Sequence, residues 1–195
     1  ASSEPLRIGT SSTRRRAFLR HFYPQHTAVE MRGNLQTRLE KLKNGECDAM
    51  LLAFAGVHRM EMESYITQHL SLDQFVPAVG QGSVAIQCAL TLDAEVKELI
   101  RKACNHPATE ATLLAERHLL AHLEGGCSVP VYGHAIHQNG QLTLQAGVLS
   151  LDGIENIVHS ATGSDPALLG KEVAMELIHL GAHQLLRKIR QELGS

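Results

Sequence analysis

Basic side chains cluster after three short apolar runs: Arg14, Arg15 and Arg16 after residues 6–9, Arg32 and Arg38 after 27–31, and Arg59 after 47–53. A guanidinium is a rigid fork of donors that matches carboxylate or phosphate oxygens two at a time. Thr10, Ser11 and Ser12 add hydroxyls where a helix would begin, and a helix N-terminus turns its N–H groups towards an anion. Several forks at one place would bind a small polyanion. Taken singly, each arginine reads more readily as a solvated helix-face residue, and Arg16 and Arg20 read that way here. Convergence at strand ends is what points to a site, because ligands of open α/β sheets bind at the carboxyl ends of the strands.

A second candidate is the loop Leu123-Glu124-Gly125-Gly126-Cys127-Ser128-Val129-Pro130, which places a thiol between a helix and a strand. There it is accessible to a nucleophilic or attachment role. The preceding helix C-terminus disfavours a thiolate, and a small residue in a tight turn explains the same pattern. Cys47 and Cys88 lie in apolar runs and read as core residues. In Ala78-Val79-Gly80-Gln81-Gly82 the paired glycines imply close approach of backbone to a ligand or another segment. The 12 histidines form no metal-ligand pattern: His118 and His122 are four apart on a helix, but no HExxH or cysteine pair completes a set. There is no GxGxxG, Walker lysine loop or GxSxG elbow.

Composition narrows the partners. Eighteen Lys+Arg against 20 Asp+Glu give a formal charge of −2, so anion binding has to come from local clustering, and a generic nucleic-acid binder is disfavoured. Aromatics at 4% with no Trp leave few rings for base stacking. With 195 residues, 44% of them hydrophobic, the chain has ample material for a core, which excludes disorder. Cys47, Cys88, Cys104 and Cys127 are widely spaced with no CxxC, which fits reduced thiols in the cytoplasm. No apolar run is long enough to span a membrane, and residues 1–5 lack signal-peptide features.

To gather the arginines, residues 1–91 must form strand-helix-strand units on a mostly parallel sheet, an α/β unit of two or three layers. The expected elements are strands at 6–9, 27–31 and 47–53, the last buried on both faces and closed by Gly56. Between them lie a helix capped by Ser11 or Ser12 and one capped by Asn34 that ends near Asn44-Gly45. The run 83–90 reads as a further strand. Residues 92–124 supply connecting helices, one at 95–104 and one from Pro107 to Leu123. Residues 125–195 read as an α+β domain: a hairpin turning at Asn139-Gly140, a third strand at 154–161, then helices after Asp165-Pro166 and after Gly181. Its three-stranded antiparallel sheet is covered by helices on one face.

Five segments, taken together, resemble the hydroxymethylbilane synthase, or porphobilinogen deaminase, family. They are Gly9-Thr10-Ser11-Ser12-Thr13-Arg14-Arg15, Met31-Arg32-Gly33-Asn34-Leu35-Gln36-Thr37-Arg38-Leu39, Leu52-Ala53-Phe54-Ala55-Gly56-Val57-His58-Arg59, Ala78-Val79-Gly80-Gln81-Gly82 and the Cys127 loop. They stand in family order along nearly the whole chain. Thr13, where the family usually has an aliphatic residue, and the additional Arg16 depart from the pattern. The resemblance implies a transferase of tetrapyrrole (porphyrin and heme) biosynthesis that joins four porphobilinogens head to tail and releases ammonia. It implies a periplasmic-binding-like fold for the α/β unit and a dipyrromethane cofactor thioether-linked to Cys127. Arg14, Arg15, Arg38, Thr10 and Ser12 would hold that cofactor, and Arg32, Arg59 and Gln81 the porphobilinogen substrate. The family's catalytic acidic residue belongs to an N-terminal domain upstream of anything in this sequence. The expectation is therefore a chain inactive alone that needs that domain, or a second chain, as partner. The alternative reading is a non-catalytic module for small polycarboxylates.

Overall fold

The computed structural model describes residues 4–124 and 129–194. Strands β1 (Arg7–Gly9), β2 (Thr27–Val29) and β3 (Ala49–Met50) pair in parallel in the order β2-β1-β3. Parallel neighbours need a crossover, so α1 (Thr13–Phe22) joins β1 to β2 and α2 (Leu35–Lys43) joins β2 to β3. Both helices start where the sequence offers an acceptor: Ser12 Oγ takes the Arg15 N–H, and Asn34 Oδ1 the Thr37 N–H. Asn44 ends α2, followed by Gly45 at φ +74°.

Two expectations for this half need correcting. The run 47–53 contributes only Ala49–Met50 to the sheet, and Gly56 lies inside a further helix, α3 (Phe54–Arg59). Residues 49–53 are half-buried rather than enclosed. One face looks into a cavity of about 550 Å³ lined by Ile8, Leu39, Leu51, Val57, Tyr65 and Phe75 among others. The run 83–90 forms no strand: Val84 is 89% and Leu90 97% exposed, and Cys88 is half-exposed rather than core. Alternating apolar residues make a strand only where a neighbour takes their backbone hydrogen bonds, and none lies beside this run among the described residues.

The second half follows its patterning closely. Helices α4 (Ala94–Cys104) and α5 (Pro107–His122) lead to strands β4 (Val131–Gln138), β5 (Gln141–Leu149) and β6 (Asn156–Gly163), an antiparallel sheet in sequence order. Asn139 and Gly140, at φ +52° and +76°, make the tight turn of the hairpin. Helices α6 (Pro166–His179) and α7 (Ala182–Leu193) complete the chain. Side-chain alternation sorts the sheet into two faces. Val131, Ala135, Leu142, Leu144, Ala146 and Val148 join Leu119 of α5 and Leu169, Val173 and Leu177 of α6 in one core. Gly170 lets α5 and α6 touch, since a Cβ there would lie 2.3 Å from the Ala115 carbonyl oxygen. From the opposite face, Tyr132 and Leu149 meet Ala17 and Phe18 of α1, with Phe75 and Val76, in a second cluster. The helix that carries Arg14 and Arg15 is thus seated against the second sheet.

Candidate functional site

The loops that leave β1 and β2 are stitched together at the carboxyl edge of the parallel sheet. The Thr10 N–H donates to the Val29 carbonyl (2.9 Å), and Ser11 Oγ donates to the Met31 carbonyl (2.6 Å) while accepting the Met31 N–H (3.2 Å). Thr10 is buried, and its Oγ1 accepts the Ser12 N–H at 3.3 Å. Thr10 and Ser12 therefore set the turn that starts α1, whose first residues include Arg14 and Arg15.

Arg14 is 6% exposed. Its Nη1 donates to the Val76 carbonyl (2.5 Å) and its Nη2 to Gln81 Oε1 (3.0 Å). Arg15 Nη1 donates to the Leu51 carbonyl (3.0 Å), and Arg38 Nε to the Gly33 carbonyl (2.8 Å). These acceptors are neutral, and none of the three arginines has a carboxylate within ion-pair distance among the described residues. Burial pulls the Arg14 pKa down to about 10, and the Arg15 charge adds to the effect. Burial lowers Arg15 as well, with a contribution from the Arg38 charge. At neutral pH the guanidiniums stay charged, repel one another and keep N–H donors beyond those the protein uses. An anion with several carboxylates would relieve both conditions.

The structure brings Arg14, Arg15 and Gln81 together around the turn set by Thr10 and Ser12, with Arg38 close enough for its charge to act on Arg15. Arg32 stands apart: exposed, with its Nε on Glu30 Oε1 at 2.5 Å. Arg59 is exposed at the end of α3. Cys127 lies outside the described residues, as do Gly125, Gly126 and Ser128. On either side of them, Leu123 and Val129 are in the core of the second sheet, and Glu124 between Leu123 and the loop is exposed. His118 and His122, at ligand spacing, are joined by His122 Nδ1 on the His118 carbonyl oxygen at 2.7 Å.

Sequence reasoning missed two parts of this site. The Val76 carbonyl, which takes the Arg14 fork, carries no side-chain signal at all. Glu116 did carry one, as an acid on the apolar stripe of α5 beside Leu113, Ala115 and Leu119. Its buried carboxylate accepts the Gly80 N–H at 2.7 Å and the Ala135 N–H at 2.9 Å.

The chain thus combines a parallel three-stranded sheet, with arginines free of carboxylate partners among the described residues at the start of a helix, and an antiparallel three-stranded sheet packed under helices. Residues 2–98 match the family model described as "Porphobilinogen deaminase, dipyromethane cofactor binding domain", and residues 110–179 match "Porphobilinogen deaminase, C-terminal domain". The chain belongs to the porphobilinogen deaminase family. It is 50% identical over 191 residues to the porphobilinogen deaminase of Cytophaga hutchinsonii, an alignment covering 97% of this chain and 61% of that protein. It is 46% identical over 193 residues to that of Desulfosudis oleivorans, covering 98% and 62%. With that of Francisella tularensis subsp. tularensis it shares 44% identity over 180 residues, covering 92% and 59%. The chain spans about 60% of the length of these relatives.

Proposed function

We propose that this chain serves the reaction of its family, the head-to-tail condensation of porphobilinogen with release of ammonia, by holding the carboxylates of a dipyrromethane cofactor and of the substrate. The observation that carries this reading is the pair Arg14, buried, and Arg15, half-buried, both charged and without a carboxylate partner among the described residues. Desolvating a cation is costly unless an anion compensates it. The acetate and propionate groups of a dipyrromethane match the fork geometry, so the residues present fit the group.

In this reading Arg14, Arg15 and Arg38 bind the cofactor carboxylates, while Thr10 and Ser12 hold the start of α1 in place. Arg32 and Arg59, both exposed, would meet the carboxylates of incoming porphobilinogen, Arg32 by exchanging its pairing with Glu30. Gln81 acts through its bond to Arg14, fixing the plane of that guanidinium. Cys127 carries the covalent link as a thioether. When bound, the dipyrromethane supplies the nucleophilic pyrrole carbon from which the product is extended. The parallel sheet then belongs to a periplasmic-binding-like unit within residues 1–91, joined through 92–124 to the unit at 125–195. The free thiols of Cys47, Cys88 and Cys104 suit a cytoplasmic setting.

Intact-mass measurement tests the attachment. After incubation with porphobilinogen and with the N-terminal domain of a family member supplied as a second chain, this chain should gain the mass of two pyrrole units, less the ammonia released, and Cys127→Ser should gain nothing. An unchanged mass of the wild-type chain in that mixture, or the same gain in Cys127→Ser, contradicts the proposal.

A further inference from the structure

Glu116 is the one buried acid among the described residues, with its side chain 7% exposed. A carboxylate is costly to bury unless both oxygens are satisfied. Its two partners belong to different segments, the loop at residues 76–81 and β4. β4 is an edge strand, and its amides at Gly133 and Ala135 point away from β5. The first donates to the Pro77 carbonyl at 3.2 Å and the second to Glu116 Oε1. Glu116 Oε2 takes the N–H of Gly80, which sits in the left-handed region at φ +72°. Val79, between Pro77 and Gly80, packs on the core of the second sheet. The same short loop holds Arg14 from the other side, through the Val76 carbonyl and the Gln81 side chain.

We propose that Glu116 is a positioning residue for the arginine cleft: its carboxylate clamps residues 76–81 to the edge of β4, so that the loop presents the two acceptors that aim the Arg14 fork. The proposal rests on that cleft being the carboxylate site argued above. Glutamate suits the task where glutamine does not, because two backbone N–H groups require two acceptor oxygens, and a glutamine would turn its own NH2 towards one of them. The nearest charged or titratable side chain is His134, whose Nδ1 lies 3.9 Å from Glu116 Oε1 and makes no bond that would hold the carboxylate in place without the loop.

The test is a double-mutant cycle on porphobilinogen affinity by calorimetry, with Glu116→Gln and Arg14→Lys made singly and together, well below the melting temperature of every variant. Arg14→Lys keeps a charge and loses the fork. Glu116→Gln should weaken binding about fivefold or more in the wild-type background and less than about twofold beside Arg14→Lys, since residues coupled through a shared backbone segment interact on this scale. Equal effects in the two backgrounds, or no weakening, overturn the clamp. A purely architectural role would lower stability without producing this coupling. Hydrogen exchange decides independently of the ligand: Glu116→Gln should speed exchange at residues 76–81, and unchanged protection there overturns the proposal. If the wild-type chain binds no porphobilinogen, the functional reading fails, and the exchange result alone judges the clamp.

Discussion

Arg14 is a buried cation and Arg15 a half-buried one beside it, and loss of water lowers the pKa of both. Such sites are kept for function rather than for folding. Glu116 is the opposite case, an acid whose burial is met by two backbone N–H groups. Burial still outweighs those bonds and raises its pKa above the ordinary glutamate value. An acid with a raised folded pKa binds its proton more readily in the folded state, so its contribution to stability is fully present below the unfolded value and is lost as pH rises through the raised one. Glutamine does not titrate. The melting temperature of the wild type relative to Glu116→Gln should therefore fall as the pH is taken from about 4 to 7. A difference that stays constant or grows over that range contradicts the assignment.

Among the elements, α1 carries the site and is held from both sides. Its Phe18 ring lies 5.6 Å from that of Phe75 and 5.0 Å from that of Tyr132, centroid to centroid. Phe18→Ala should cost about 3–5 kcal/mol of unfolding free energy, read from denaturant melts, since the cavity would open between the two sheets. A loss under about 1 kcal/mol would mean that the seam is not packed as described. Much of this architecture was legible locally. Ser12, Asn34 and Asp165 cap helices as their side chains suggest, and Asn139-Gly140 turns the hairpin. The arginines, too, stood out by their positions after strands. What was not legible depends on partners far along the chain. Residues 83–90 have the alternation of a strand and no neighbour to pair with among the described residues, and 49–53 face a cavity where a buried strand was expected. The acceptors that hold Arg14 come from 62 and 67 residues away, a separation that no periodicity encodes.

At the scale of the whole molecule, a chain with a formal charge of −2 concentrates positive charge at one sheet edge and fixes that edge to a second sheet through residues 76–81 and the Phe18 cluster. The cleft is therefore a property of both halves, although its charged groups come from the first. The proposed function requires that Arg14 and Arg15 take carboxylates. The most direct measurement is a calorimetric titration of porphobilinogen into the chain and into its Arg14→Ala, Arg15→Ala and Arg16→Ala variants. Binding should weaken about tenfold or more in the first two, as expected when a charge-assisted bidentate contact is removed, and be unchanged in the third. Equal affinity across all four proteins would contradict it.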